Sequence, residues 1–340
     1  MEAQVSDLIG WLPGKIVWEA GEPTVVWRQL DTGEIREPYF DETLKASLSD
    51  AEIEGKSYHT PIAMLREVAE APATEPVAIP ATAGFLFHWS RSGARMVAQM
   101  LAADYSHLVL NEFQPIDALL RCQLWDARAT PEWRQEQLRW LILATARAMP
   151  HRTRLFVRFE NWQVLQLPVV QAAFPLVPWA FLYREPMEVL ASHEHRCGSL
   201  FVPGELEPEL FGWELRDIMR RPFAVHWARV LAAFGEAALA GLPAGHGYLL
   251  NHSELPEAAY EGLLKAFNVP RDPDLLAVMA KTARYHQRDP KTLSPDASLQ
   301  KLRSELPDHA AAADAHVAYV YHRLEAARSG EFGLPEHTGL

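Results

Sequence analysis

Two stretches far apart in the chain carry residues suited to gripping an anion. The first is Ser90-Arg91-Ser92-Gly93. It follows an apolar run from Phe85 to Trp89, broken only by His88, and precedes a segment whose apolar positions Met96, Val97, Met100 and Leu101 share one helical face. A strand that turns through glycine into a helix aims free backbone N–H groups and the positive helix end at one point, which suits a phosphate or sulfate. Arg91 adds a guanidinium able to hold an oxyanion through two parallel hydrogen bonds. The same Ser and Gly content also fits an ordinary strand-to-helix turn. The second stretch is PWAFLYREPMEVLASHEH, where Arg184 closes an apolar strand and Ser192 lies eight residues on. In a doubly wound sheet ligands lie at the carboxyl ends of the strands, so Arg184 can approach the crevice of the first turn. Paired with Glu185 or Glu188 it would instead be a helix-start ion pair.

The elements that must position these residues follow from hydrophobic period and punctuation. KIVWE and TVVWRQL read as two strands around Gly21-Glu22-Pro23. Residues 41–53 and 61–70 read as helices, with Thr60 as N-cap and Pro61 at the first helical position. The Pro- and Ala-rich stretch 71–83 reads as a linker. It divides a small α+β extension over 1–75 from a main domain over 81–330. Beyond Phe85–Trp89, buried strands are expected at His107–Leu110, 154–160, 178–185 and 247–252. Helices are expected over 114–149, 205–240, 257–267 and 308–328, with a polar loop, YHQRDPKTLSPDASLQK, before the last. Short buried strands alternating with helices predict an α/β fold, a doubly wound parallel sheet with helices on both faces. Gly55-Lys56-Ser57 has the ending of a phosphate loop, but position 50 is Asp50 where the earlier glycine belongs and no strand precedes it, so it reads as a decoy.

Composition narrows the partners. The 340 residues are 49% apolar with eleven Trp, enough for a large core, and the formal net charge is −12. A general nucleic-acid or anionic-membrane binder needs a basic field that this chain lacks. An anionic ligand would need a locally basic pocket. Cys122 and Cys197 form no disulfide framework and fit a reducing cytoplasm. The N-terminus lacks a basic n-region with an apolar h-region, and no apolar run approaches the ~18 residues of a membrane span. His193, His195 and Cys197 cluster in SHEHRCG, but no second ligand pair and no HExxH helix accompany them, so they read as packing residues and no metal is expected. His88 reads as a hydrogen-bonded core residue.

Taken together, FLFHWSRSGARMVAQML and FLYREPMEVLASH resemble the two cofactor motifs of sulfotransferases that use PAPS (3′-phosphoadenosine 5′-phosphosulfate). The resemblance is to a bacterial branch with SRCGST-type loops, and it extends through VRFENWQVLQLPVVQAAFPLVPW, KIVWEAGEP and HTPIAML. It implies a P-loop-like sulfotransferase fold. It implies that Ser90, Arg91, Ser92 and Gly93, with the backbone N–H groups of Ala94 and Arg95, hold the 5′-phosphosulfate, and that Arg184 and Ser192 hold the 3′-phosphate. It implies that Glu112 is the base that deprotonates the acceptor; without it, Glu112 is a strand-end residue capping the next helix through Phe113 or Gln114 N–H. Arg158 stands where the family has a charge-stabilising lysine, and His252 where members commonly carry a tyrosine near the adenine. Lys291 and Lys301 match a basic segment that closes over the 3′-phosphate. The loop departs from the pattern, because two hydroxyl residues are replaced by Ala94 and Arg95. Arg95 either adds a cation or fills the sulfate site.

The expected activity is sulfonate transfer from PAPS to a hydroxyl or amine of a small or medium organic acceptor in the cytoplasm, with Glu112 as base and Arg91, Arg95 and Arg158 neutralising charge. The alternative is a catalytically impaired relative acting as a binding or accessory protein. A partly apolar wall carrying Trp125, Trp133, Trp213 and Trp227 would face the acceptor. The sequence leaves the oligomeric state open.

Overall fold

A computed structural model describes residues 3–29, 40, 42, 57–72, 79–287 and 299–330. Two sheets organise them. The first is antiparallel, in the order β1 (Leu12–Glu19), β2 (Glu22–Arg28), β3 (Ser57–Pro61). The β1–β2 hairpin forms around the expected turn, with Ile16 opposite Val25. Thr60 and Pro61 end β3 rather than capping a helix: the Thr60 hydroxyl accepts the indole N–H of buried Trp27 at 2.8 Å, and helix α1 begins later, at Met64–Glu70. Ser57 opens β3, while Gly55, Lys56 and the helix expected over 41–53 lie outside the described residues apart from Glu42.

The second sheet is parallel throughout. It comprises β4 (Ala81–His88), β5 (His107–Asn111), β6 (Arg154–Arg158), β7 (Trp179–Tyr183) and β8 (Gly247–Asn251), in the order β5-β6-β4-β7-β8. The α/β expectation therefore holds. The linker reading fails at its end, because Ala81 to Ala83 already belong to β4. Side chains alternate across the sheet. On one face Phe85, Phe87 and Trp89 join Leu108, Leu110, Val157, Phe181 and Tyr183. On the other, Leu86 joins Val109, Phe156, Ala180, Leu182 and Leu250. Burial on both faces is why these strands read as near-continuous apolar runs.

Helices α2 (Ala94–Ala102), α3 (Gln114–Arg121), α4 (Pro131–Arg147), α5 (Leu167–Ala173), α6 (Pro186–His195) and α7 (Phe223–Gly241) surround the sheet. The tract expected over 114–149 breaks into α3, a 3-10 turn at Cys122–Leu124, and α4, which Thr130 caps. The C-terminal part adds α8 (Pro273–Gln287), α9 (Leu299–Glu305), α10 (Pro307–His316) and α11 (Ala318–Ser329). Helix α8 and its packing of Leu275 and Met279 under the sheet were not read from sequence, and the expected polar loop begins inside it. The segment Phe223–Ala244, with mean hydropathy 1.2, is long and apolar enough to cross a membrane. Half of it is buried inside the fold, through Trp227, Leu231, Phe234 and Ala238 among others.

The N-terminal sheet docks on α3 and α4 through polar fasteners. Gln114 accepts the Ile16 N–H at 3.1 Å and donates to the Ile16 carbonyl at 3.3 Å. Trp18 donates to Asp126 at 2.8 Å, and Arg128 joins Asp126 to Glu22 and the Gly21 carbonyl. Arg128 first, and Trp18 after it, hold the Asp126 carboxyl well below the usual carboxylate range.

Candidate active site

The strand order fixes where a site belongs. The chain leaves β4 toward β5 on one side and leaves β7 toward β8 on the other. The two exits diverge between neighbouring strands, and that divergence opens a crevice outside their carboxyl ends. The turn after β4 is Trp89 to Gly93; the turn after β7 begins at Arg184.

The first turn is held in an uncommon backbone shape. Arg91 has φ 63° and Gly93 φ 88°. A Cβ at Gly93 would lie 2.7 Å from Leu255 Cδ1 and 2.9 Å from His252 Nδ1, so glycine is required by space as well as by φ. Gly93 caps α2 without a side-chain hydrogen bond, which leaves the helix end open toward the crevice. The Ser92 hydroxyl is buried with no hydrogen-bond partner among the described residues. Such an orphan in a strained turn is a place for a ligand oxygen. His252 Nδ1 lies 3.2 Å from the Ser92 carbonyl. A carbonyl only accepts, so Nδ1 carries the proton and Nε2 is left as an acceptor. Burial, then the charge of Arg184, lowers the His252 pKa and keeps the ring neutral.

The two expected motifs meet. Arg184, at the end of β7, donates from Nη1 to the Arg91 carbonyl at 3.5 Å and from Nε to Glu188 at 2.6 Å. The ion pair considered as the plain reading is present, on the same guanidinium that touches the turn. Ser192 stands half-buried one helical turn beyond Glu188 on the same stripe of α6. Arg91 itself turns to the far end of α6 and donates to the Arg196 carbonyl at 2.7 Å. Ala94 is buried in the apolar cluster beneath the sheet, and Arg95 is half-buried on the first turn of α2. Ser90 is half-buried at the turn's start. Lys301 lies on helix α9 rather than in a loop; it is exposed and pairs with Glu305 at 3.8 Å. Lys291 lies outside the described residues.

A second polar group gathers at the ends of β4, β5 and β6. Glu112, with φ 48°, directly follows β5 and donates its N–H to the Arg158 carbonyl at 2.8 Å. Its carboxylate accepts from Arg158 Nη1 at 2.6 Å rather than capping α3, whose N-cap is Phe113. Arg158 is buried and also donates to Asn111 at 3.2 Å, while its Nη1 lies 3.5 Å from His88 Nε2. His88 is buried and hydrogen-bonded to the Trp89 carbonyl at 3.0 Å, as a core residue; burial, then Arg158, drives its pKa down to about 3.

Glu160, two residues beyond Arg158, was not singled out from sequence. Its N–H donates to the Gln163 side-chain oxygen at 2.9 Å, and its main-chain carbonyl accepts the Gln163 N–H at 3.0 Å. Burial, then the charges of Asp117 and Glu112, pushes its pKa up to about 7 against the pull of Arg121 and Arg158. Asp117 is fixed by Arg121 through two contacts of 3.2 Å and by Trp162 Nε1 at 2.9 Å. The signal available was a carboxylate just after the strand that ends in Arg158; nothing in the pattern told that it lies near two others. His193 stacks on Phe201 with ring centroids 4.2 Å apart, His195 bonds to the Ala191 carbonyl, and Cys197 is exposed. Of the four Trp proposed for an acceptor wall, Trp227 is buried and donates to the Phe201 carbonyl at 2.9 Å, and Trp125 is exposed against Trp18.

No known family model matches the chain, and no curated protein matches it. Among solved structures, the sulfotransferase domain from the curacin biosynthetic pathway is 14% identical, covers 68% of this chain and 98% of its own, and has a TM-score of 0.38. Sulfotransferase STF1 from Mycobacterium tuberculosis H37Rv is 15% identical, covering 72% of this chain and 82% of its own, with a TM-score of 0.39. Sulfotransferase STF9 from Mycobacterium avium is 12% identical, covering 89% of this chain and 88% of its own, with a TM-score of 0.38. Superpositions this loose do not rank one reading of the site over another, and the α/β assignment stands on the strand order.

Proposed function

We propose that the chain transfers a sulfonate from PAPS to a hydroxyl or amine of a small or medium organic acceptor. The observation that carries this reading is the contact of Arg184 with the Arg91 carbonyl, which joins the two motifs at the carboxyl edge of the sheet. The donor fits what surrounds that contact: an orphaned buried hydroxyl at Ser92, an open helix end at Gly93, and a glycine whose bare backbone stands where a Cβ would clash with Leu255 and His252. The turn Ser90 to Arg95 would hold the 5′ end. Arg184 and Ser192 would hold the 3′-phosphate, with His252 beside the base. Lys301 and Lys291 remain candidates for closing over the 3′ end. When bound, PAPS supplies the sulfonate that is transferred in line to the acceptor.

The chain's own residues do the rest. Glu112 accepts the acceptor's proton as its oxygen or nitrogen attacks. Arg158 fixes the Glu112 carboxylate at 2.6 Å before reaction and, with Arg91 and Arg95, supplies a fixed positive field for the charge that develops. We also place the activity in the cytoplasm and on small molecules rather than nucleic acid or membranes, in keeping with a net charge of −12.

A second reading, a catalytically impaired binding protein, is favoured by the Arg91 guanidinium, which is engaged by the Arg196 carbonyl, and by the Ala94-Arg95 departure in the loop. Calorimetric titration with adenosine 3′,5′-bisphosphate tests the shared part: micromolar or tighter binding is expected, and absence of binding removes both readings. A PAPS transfer assay across phenol, alcohol and amine acceptors then separates them, since binding without transfer leaves only the second.

A further inference from the structure

The end of α7 that faces the carboxyl side of the sheet carries an unusual concentration of cations for an acidic chain. Gly235 of α7 lies against Trp89, the first residue after β4, since a Cβ there would be 3.1 Å from Trp89 Cζ2. His226 and Arg229 are nine and six residues earlier, so they stand roughly 9–14 Å beyond that level at ~1.5 Å per residue. Two guanidiniums share one ring: Arg221 Cζ is 4.8 Å and Arg229 Cζ 5.3 Å from the centroid of Trp213. Arg221 Nη1 is buried with no hydrogen-bond partner among the described residues. Against the same Trp213 lies His226, 4% exposed, its ring centroid 6.3 Å away and its Nδ1 likewise without a partner among the described residues. His316, at the end of α10, feels both arginines as well. The carboxylate that acts on Arg221 is Asp217, which itself sits 3.9 Å from Arg216.

Like charges gathered around an indole, with two buried polar nitrogens unmatched, are costly unless something negative completes them. We propose that Arg221, Arg229, His226 and Trp213 form a second anion site, separate from the turn at Gly93, that takes a carboxylate, sulfate or phosphate group. Arg221 and Arg229 supply the charge, Trp213 spaces them, and the His226 imidazole supplies a ring nitrogen from below. His226 is held neutral, its pKa pushed down to about 4 by burial and then by Arg221 and Arg229. An anion offsets both arginines, so binding raises the His226 pKa and draws in a proton. Affinity therefore increases as pH falls below the raised pKa and levels off below about 4.

The test is calorimetric titration of the full chain with inorganic phosphate and with phenyl phosphate, in the presence of saturating adenosine 3′,5′-bisphosphate. The Arg184→Ala chain serves as a second background if the bisphosphate does not bind. One binding event is expected, weakened at least ~10-fold by Arg221→Gln or Arg229→Gln. Runs with inorganic sulfate, which does not titrate in this range, in buffers of different ionisation enthalpy between pH 7 and 5.5 should show proton uptake that His226→Gln abolishes. Equal affinity for both probes identifies the free ion as ligand; preference for phenyl phosphate identifies an anionic group carried on an organic molecule. No binding of either probe, or binding that both arginine variants leave unchanged, overturns the proposal. The outcome is independent of the sulfotransferase reading, which stands or falls on the bisphosphate titration alone.

Discussion

Replacing Arg184 with alanine separates a ligand-gripping guanidinium from a merely structural one. The side chain is 13% exposed and divides itself between Glu188 at 2.6 Å and the Arg91 carbonyl at 3.5 Å. For the fold the loss is small. An i,i+4 pair with a partly exposed glutamate is worth about 0.3–1 kcal/mol, and a 3.5 Å hydrogen bond is weak. The chain should lose about 1 kcal/mol and melt a few degrees lower. For a bound 3′-phosphate the loss is larger, because each charge-assisted hydrogen bond contributes about 1.5–3 kcal/mol. Losing two of them costs about 3 kcal/mol or more, which is about a hundredfold in the dissociation constant for adenosine 3′,5′-bisphosphate. Glu188→Gln gives the opposite sign. It removes a negative charge near the phosphate and releases Nε, so the bisphosphate should bind about two- to fivefold tighter. Calorimetry on both variants, with thermal melts as the folding control, reads the two effects separately. If both variants bind within threefold of the parent, or if Glu188→Gln weakens binding as much as Arg184→Ala, then Arg184 serves α6 alone and the anion cradle is wrong.

Other outcomes follow from the same geometry. Glu112→Gln should lower transfer by about 10²–10⁴-fold while leaving bisphosphate affinity within a few-fold, as steady-state rates and calorimetry would show. Glu160 has a folded pKa raised to about 7. The stability this raised pKa contributes is full below the unfolded carboxyl pKa and lost as pH rises toward 7. Glu160→Gln keeps the cap and should therefore match the parent at pH 4 but exceed it at pH 8 by on the order of 2 kcal/mol in urea titrations; equal stability at both pH values refutes the assignment. Gly93→Ala sets a methyl 2.7 Å from Leu255 at φ 88°. It should destabilise the chain by about 1–3 kcal/mol and weaken the bisphosphate, measured by melts and calorimetry; an unchanged melt would mean the turn relaxes freely.

What could be read from sequence follows the physics of each element. Phe85–Trp89, His107–Leu110 and Trp179–Tyr183 announced themselves because burial on both faces selects runs of large apolar residues. The Ser90–Gly93 turn and Arg184 were legible because local chain geometry, strand then turn then helix, nearly determines what they can do. Glu160 was not, because its raised pKa depends on Asp117 and Glu112, which only the fold brings near. Thr60 misled because a hydroxyl before proline looks like a helix cap, whereas here it answers the indole of Trp27 across the sheet. Helix α8 was missed because Pro273 begins it after a loop dense in Asp and Pro, and its end runs on into a polar stretch from Tyr285 that reads as loop.

The loop departures acquire a different weight once the turn is folded. Read linearly, Ala94 is a hydroxyl donor lost from the phosphosulfate site. In the fold it packs with Leu86, Val97 and Ala98 in the cluster beneath the sheet, 3% exposed. A hydroxyl at that position would be buried among apolar side chains, where an unmatched polar group costs about 1–3 kcal/mol. The alanine is therefore matched to this core, and the backbone N–H groups of the helix end, which need no particular side chain, keep their direction toward the crevice. The substitution that bears on transfer is the neighbouring Arg95, which replaces a small neutral group with a cation at the second position of α2. A cation there either joins Arg158 in the positive field or stands in the space of the sulfonate. The two differ in one respect: the first makes bisphosphate binding weaker in Arg95→Thr, the second makes it unchanged while transfer appears or rises.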